Sequence, residues 1–488
     1  MDGFEPVVLA KETKRFKSTT EPFYLDFELT RFSTLSALPL SLPVLRSALD
    51  RPLFAEKSWR LSPKPWPLPE GTVEELHSIG QACLAFHQAL ERLYLKSRSG
   101  SRILRNGSLT TPWVAEYLDA GKPEWLVDHG AAKAVKGSVP PVLRPDLIVT
   151  PDGFALTEMD SVPGGIGLTA FLEKLYLGED SHDIPESFME SLASLCPDTD
   201  NPSVLLTVSE ESADYRPEME WLAEVLCELG HKVKVGRPEQ LKPRPEGVFF
   251  DGEKQDIIYR FWELFDHEEV TVMREICSAV DQGLVKVSPP MRTFQEEKLS
   301  LGLFWHHRLE GYWRENLSKP DFTFLRKIIP RTWILDPADL PPGAVLAGPA
   351  IAGAPMSSWR DLAKASRKER ELVVKASGFH ETAWGSRSVV VGNDASVEEW
   401  GNAIDHALDT FPEPVQVLQE FRKPARLRHD VYEESGETQS MEGRLRLSPY
   451  YFVKNGEARL SGALATFCPA DKKIIHGMKD GVLLPCMI

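Results

Sequence analysis

The stretch between residues 203 and 236 constrains the fold most. Val204 to Val208 is a mostly apolar stretch of strand length, interrupted only by Thr207, the pattern of a buried strand. A helical segment follows from about Pro217 to Leu229, with Gly230 as its stop. Lys232 to Val235 is the next strand. Strand, helix and strand in that order form a βαβ unit and imply a small parallel sheet. Ile257 to Tyr259 and Val285 to Val287 read as further strands of it.

Around this unit the pattern changes. Before about residue 140 the chain is rich in proline, and its clearest element is a helix starting at Thr72. Thr72 and Glu75 have the spacing of a capping box. Leu76, Ile79, Cys83, Phe86, Leu90 and Leu93 form one apolar stripe, which Ser99 and Gly100 end. After residue 370 strands return. Leu372 to Lys375 and Val389 to Val391 flank a loop. A helix capped by Ser396 and Glu399 follows, then a strand at Val415 to Phe421. Arg444 to Val453 and Glu457 to Phe467 read as a hairpin on a type I′ Asn455-Gly456 turn. The fold class is α/β or α+β, and 488 residues imply about two to four lobes.

Composition narrows the partners. A formal charge of −16 excludes broad contact with a nucleic-acid backbone, which requires a basic surface. It leaves room for a nucleotide held by a few local lysines. The longest apolar run, near residues 343–355, is broken by Gly and Pro and falls short of the roughly 20 residues that span a bilayer. No membrane partner is therefore expected. Six scattered cysteines and a charge-mixed start, Met1 to Lys17, fit a reduced, cytoplasmic setting. The oligomeric state is not written in the sequence.

The chemistry concentrates in a few segments. Leu147 to Thr150 and Phe154 to Glu158 are strands around the turn Pro151-Asp152-Gly153, and Asp146 opens the first. Glu158 and Asp160 are two residues apart and share a face, so three carboxylates can converge. Oxygen ligands of that kind suit Mg²⁺. Arg144 stands two residues before Asp146 and can offer a fork to an oxyanion. Pro163-Gly164-Gly165 follows. Taken alone, the segment is also compatible with a solvated polar hairpin.

Lys375 ends an apolar strand and leads into a loop containing Gly378, Gly385 and Ser386. Strand, loop and strand can lay backbone N–H groups over a triphosphate, with the lysine as a point charge. Gln419 and Glu420 end the next strand, where they can meet an adenine edge and a ribose. Lys298 starts a helix. Adjacent His306 and His307 would diverge on that helix, so no shared metal is expected there. Asp471, Lys472, Lys473 and His476 fit a solvated turn, and Arg260 is a candidate for specificity.

In order, these pieces resemble the circularly permuted ATP-grasp family, including the glutathionylspermidine synthetase type. The resemblance is carried by Arg144-Pro145-Asp146, Glu158-Met159-Asp160, Pro163-Gly164, Lys298, Lys375 with its loop, and Gln419-Glu420-Phe421. It spans about residues 141 to 470. Two departures stand out: Asp160 replaces the usual Asn, and Phe379, His380 and Trp384 crowd the loop. Residues 1–140 read as an accessory, partly helical domain, and the resemblance implies permuted metal-binding strands over 141–200. It implies a Rossmann-like segment over 201–295 and nucleotide-binding lobes with the C-terminal hairpin over 296–488. Asp146, Glu158 and Asp160 would hold Mg²⁺, and Lys298 and Lys375 the ATP phosphates. Gly378, Gly385 and Ser386 would close over them, Gln419 and Glu420 would hold the nucleoside, and Arg144 would stabilise developing charge. The implied reaction is ligation of a small-molecule carboxylate to an amine through an acyl phosphate. A phosphotransferase and a non-catalytic nucleotide-binding protein remain open alternatives.

Overall fold

The apolar stripe between Leu76 and Leu93 is buried along its whole length on α2 (Thr72–Arg98), which follows the short α1 (Leu42–Leu49). This computed structural model describes residues 39–488 except 55–57, 161, 179–180, 182, 473 and 476–479. The segment Met1 to Lys17, Lys473 and His476 thus lie outside the described residues. The start of α2 differs from the expected capping box. Gly71, in left-handed backbone (φ 80°), is the cap, so Thr72 is already helical and its side chain caps nothing. Glu75 pairs instead with Lys327 at 3.5 Å. Helices α3 (Pro112–Asp119) and α4 (Glu124–Ala131) complete the N-terminal helical module.

Strands β1 (Val142–Thr150) and β2 (Gly153–Asp160) form an antiparallel hairpin. β1 begins earlier than expected, so Asp146 lies within the strand instead of opening it. Helices α5 (Ile166–Leu177) and α6 (Asp183–Ala193) follow.

The βαβ unit is β3 (Ser203–Val208), α7 (Arg216–Glu228) and β4 (Lys232–Gly236). A small antiparallel sheet of β5 (Lys242–Arg244), β6 (Gly247–Phe250) and β7 (Glu253–Gln255) intervenes. Then come β8 (Ile257–Phe261), α8 (Met273–Asp281) and β9 (Lys286–Ser288). The parallel order is β4-β3-β8-β9. Both faces of this sheet are covered. Val204, Leu206, Tyr259 and Phe261 belong to the main core, whereas Leu205, Ile258 and Trp262 pack with Met273 and Ile276 of α8.

After α9 (Leu299–Trp305), α10 (Glu310–Asn316) and α11 (Lys319–Ile328) the chain enters a second lobe. Its strands are β10 (Thr332–Leu335), β11 (Leu372–Ala376), β12 (Val390–Val391) and β13 (Gln416–Glu420), in the order β10-β13-β11-β12. Helix α12 (Val397–Asp409) has the expected Ser396–Glu399 capping box and packs Trp400, Ile404 and Leu408 on Val374 and Leu418.

The remaining strands are β14 (Leu427–Tyr432), β15 (Thr438–Lys454), β16 (Glu457–Pro469) and β17 (Val482–Pro485). Asn455 and Gly456 both have positive φ (53° and 82°), as a type I′ turn requires. The sheet runs β17-β16-β15-β1-β2, with β14 also on β15. The early hairpin is therefore completed by strands some three hundred residues later. The described residues, from 39 onward, form one compact unit. No described helix is long and apolar enough to cross a membrane.

Candidate active site

The hairpin register decides which charges meet. Arg144 lies opposite Asp160 and Asp146 opposite Glu158, so all four side chains share one face of the sheet. On the other side of β1, β15 brings two residues that also reach Asp146. Arg446 Nη1 donates to Asp146 Oδ2 and Ser448 Oγ to Oδ1, both at 3.0 Å. Arg144 Nε stands 3.6 Å from Oδ1. Burial acts to raise the Asp146 carboxyl, but Arg446, Arg144 and Ser448 outweigh it and hold it below the usual range.

The Arg144 fork is already engaged. Nη2 donates to Asp160 Oδ2 at 2.7 Å and Nη1 to the Gly164 carbonyl at 2.9 Å. Asp160 Oδ1 accepts the Val162 N–H at 3.0 Å. Burial lifts the Asp160 carboxyl above its ordinary range; Arg144 resists, and Glu158 and Asp146 add to the rise. The Pro163-Gly164-Gly165 segment is there for closeness. A Cβ on Gly164 would lie 2.3 Å from the Tyr215 ring. Gly165 has φ 86°, and its N–H donates to Glu218 Oε1 at 2.8 Å as α5 begins.

Both predicted lysines reach this face. Lys298 Nζ sits 3.0 Å from Glu158 Oε1 and donates to the Ala383 carbonyl, in the loop after β11, at 3.2 Å. Burial acts to lower its ammonium, but Glu158 outweighs this and raises it. Lys375 is buried and donates to the Thr157 carbonyl at 2.7 Å and to Gln419 Oε1 at 3.1 Å. Burial is the largest influence and pushes Lys375 down to about 8; Glu158 resists and Lys298 adds. The two lysines thus approach Glu158 from different segments of the chain.

The other predicted residues have the following surroundings. Gln419 is buried with both ends of its amide engaged, Oε1 by Lys375 and Nε2 on Thr332 Oγ1 at 3.0 Å. Glu420, on the rim, pairs with Arg422 at 3.1 Å. Gly378 permits close packing: its Cβ would meet the Glu296 carbonyl at 2.6 Å. Gly385 and Ser386 form a left-handed pair (φ 61° and 62°) at the loop tip, open to solvent around Gly385. Arg260 is fully buried. It donates to the Trp262 and Pro289 carbonyls and pairs with Glu296. His306 leaves α9 in extended backbone, so its ring stacks on His307 (4.8 Å between centroids) instead of diverging.

Arg446 and Ser448 were missed by sequence reasoning. The alternation Arg444-Leu445-Arg446-Leu447-Ser448 does carry a signal, since its period of two puts Arg446 and Ser448 on one face. Among the described residues, no group of three His, Cys, Asp or Glu side chains is placed to hold a metal. Asp146, whose oxygens face Arg446, Ser448 and Arg144, is turned away from such a role. Glu158 and Asp160 retain partly exposed carboxylates (35% and 28%).

Among solved structures, the chain is similar to a glutathione synthetase-like effector from Globodera pallida in its apo form. The TM-score is 0.52 at 13% identity, over 91% of this chain and 95% of that one. It is also similar to a candidate γ-glutamylcysteine synthetase from Methylobacillus flagellatus, with TM-score 0.41 and 13% identity over 77% and 88% of the two chains. No protein-family model and no curated protein matches the sequence. The first likeness shows a shared fold along most of the chain, and at that identity it shows the fold alone.

Proposed function

We propose that this chain is an ATP- and magnesium-dependent ligase of the ATP-grasp type that joins a carboxylate to an amine and releases ADP and phosphate. One observation carries the reading: Lys298 and Lys375, 77 residues apart in the chain, meet at the carboxylate-bearing face of the β1–β2 hairpin. Two lysines beside two partly exposed acids make a surface for a metal-bound triphosphate. The permuted order has support in the sheet that unites β1 and β2 with β15 to β17. The likeness to a glutathione synthetase-like protein points the same way. We keep the limits near residues 140, 200 and 295 as our division into domains.

Glu158 and Asp160 fit Mg²⁺, which takes one or two carboxylates and completes its shell with water and phosphate oxygens. Bound there, the ion would neutralise the triphosphate. Asp146 would act from behind them, fixing Arg446 and Arg144. Lys298 would exchange Glu158 for phosphate oxygens, and Lys375 would keep its place beside Gln419 while facing the phosphates. Gln419 would therefore work through Lys375 instead of reading adenine, and Glu420 would meet the ribose. The loop holding Gly378, Gly385 and Ser386 would exclude water. The substrate carboxylate attacks the γ-phosphorus, its bond to the bridging oxygen breaks, and ADP departs with that electron pair. An amine then attacks the acyl carbon, and phosphate leaves as the amide forms. Arg144 would balance charge at this centre.

The test is incubation with ATP, Mg²⁺ and panels of carboxylic acids and amines, following ADP, with nucleotide binding measured by calorimetry. Acid- and amine-dependent ADP release supports the ligase. Absence of both binding and turnover rejects it. A second reading, nucleotide binding without turnover, draws on the Arg144 fork, both of whose terminal nitrogens are engaged. Binding without any ADP release would select it. A stable phosphorylated acid formed without amine would select a phosphotransferase.

A further inference from the structure

The N-terminal helical module touches the back of the lysine site through one buried polar chain. Lys122, in the turn after α3, has a side chain only 2% exposed. Its ammonium donates to the Leu118 carbonyl at 2.6 Å and lies 2.7 Å from Glu297 Oε1. It also stands 5.6 Å over the Phe379 ring. Glu297, 3% exposed, accepts the Ser377 hydroxyl on its other oxygen. Ser377 Oγ in turn accepts the Leu299 N–H at 2.8 Å, and the Ser377 carbonyl accepts the Lys298 N–H at 2.9 Å. Ser377 N–H donates to the Val415 carbonyl just before β13. The backbones of residues 296–297 and 377–378 are pressed together, since a Cβ at Gly378 would meet the Glu296 carbonyl.

Position gives this chain its meaning. Glu297 adjoins Lys298, and Ser377 is two residues past Lys375. The same module grips the second lobe elsewhere: the Tyr117 hydroxyl donates to Asp336, just beyond β10, and the Tyr117 ring meets Phe411 at 6.3 Å. A buried ion pair is weak evidence of stability, because desolvation offsets much of its attraction. A directional, fully satisfied network is better suited to fixing geometry.

We propose that Lys122 and Glu297 are positioning residues for the nucleotide site. Through Ser377 they lock the segments carrying Lys298 and Lys375 at the spacing a triphosphate requires. The N-terminal module thereby becomes part of the binding apparatus without touching the ligand. This rests on the ATP reading above.

The test uses the full chain and three variants: Ser377→Ala, Glu297→Gln, and the double variant Lys122→Met with Glu297→Met. The double variant replaces the pair by apolar side chains of similar length and leaves no unpaired buried charge. Readouts are melting temperature, calorimetric Kd for a non-hydrolysable ATP analogue with Mg²⁺, and acetylation rates of Lys298 and Lys375 by mass spectrometry. We expect the double variant to fold with a melting temperature near that of the parent, and Ser377→Ala to fold with a lowered one, since it leaves Glu297 and the Leu299 N–H without their hydroxyl partner. Their nucleotide Kd should rise about tenfold and the acetylation rates of both lysines should change. Folded variants with parental Kd and parental labelling would overturn the proposal. Failure of the parent chain itself to bind nucleotide would remove the ATP reading first. Should the double variant not fold, Ser377→Ala decides alone, because it leaves the Lys122–Glu297 pair intact.

Discussion

Replacing Lys375 by methionine separates two roles that a buried lysine can play. Burial lowers its pKa from 10.5 to about 8. At neutral pH the folded chain therefore carries a cost of about 3 kcal/mol for keeping that ammonium charged, at 1.36 kcal/mol per pH unit. Lys375→Met removes this cost. It also takes a donor from the Thr157 carbonyl and from Gln419 Oε1, at about 1–3 kcal/mol each. The opposing contributions overlap, so stability should change by no more than about 3 kcal/mol. Nucleotide binding has no such compensation. Loss of one buried charge facing the phosphates should weaken it by about 3 kcal/mol, roughly a hundredfold in Kd.

The pH dependence adds a sign. Between pH 8 and 10.5 the folded Lys375 has released its proton while the unfolded chain still holds one. Unfolding then takes up a proton, so the stability of the parent rises through that window relative to the variant, by up to about 3 kcal/mol. Nucleotide affinity of the parent falls over the same range, because the neutral amine no longer attracts phosphate. Urea unfolding and calorimetry from pH 7 to 10.5 measure both trends. A variant that binds the analogue within threefold of the parent would refute the reasoning. So would parental stability that falls relative to the variant above pH 8.

Three further outcomes follow from the geometry. Arg446→Met should cost about 2 kcal/mol at pH 7, because Asp146 loses one of two cationic partners and the arginine is partly exposed. Asp146 is held below its ordinary range, so this deficit should shrink as pH falls through its titration below about 4; denaturant titrations at pH 3 and 7 read it. Asp160→Asn should keep measurable magnesium-dependent ADP release, since it retains an oxygen beside Arg144, whereas Asp160→Ala should lose at least tenfold; steady-state rates against magnesium concentration distinguish them. Gly378→Ala should be the more damaging of two loop substitutions, at about 1–3 kcal/mol, because its Cβ meets backbone at 2.6 Å, while Gly385→Ala meets open space and costs about 1 kcal/mol of left-handed strain; melting curves of the pair show the order.

What could be read from the sequence was what local rules govern. The β3–α7–β4 unit, the Asn455-Gly456 hairpin, the Ser396–Glu399 cap and the shared face of Glu158 and Asp160 follow from periodicity and turn chemistry within a few residues. The hidden features depend on partners far along the chain. The strand was expected to open at Asp146, yet β1 pairs with β15 at Val142, Leu143, Leu147 and Ile148, and Pro145 lies between those pairing segments, where a proline is tolerated. Arg446 and Ser448 became partners of Asp146 only once β15 was laid beside β1. Gln419 was read from its strand end as able to meet an adenine edge; that β13 inserts between β10 and β11 and turns its amide to Lys375 and Thr332 could not be read locally. Lys122 gave no local signal, since its meaning lies wholly in Glu297 and Ser377.

The most direct measurement is a crystal structure of the chain with a non-hydrolysable ATP analogue and Mg²⁺. The β- and γ-phosphates should lie between Lys298 and Lys375, with the ion on Glu158 and Asp160 and the Lys298–Glu158 contact broken. Nucleotide bound elsewhere, with Lys298 still on Glu158, would contradict this placement.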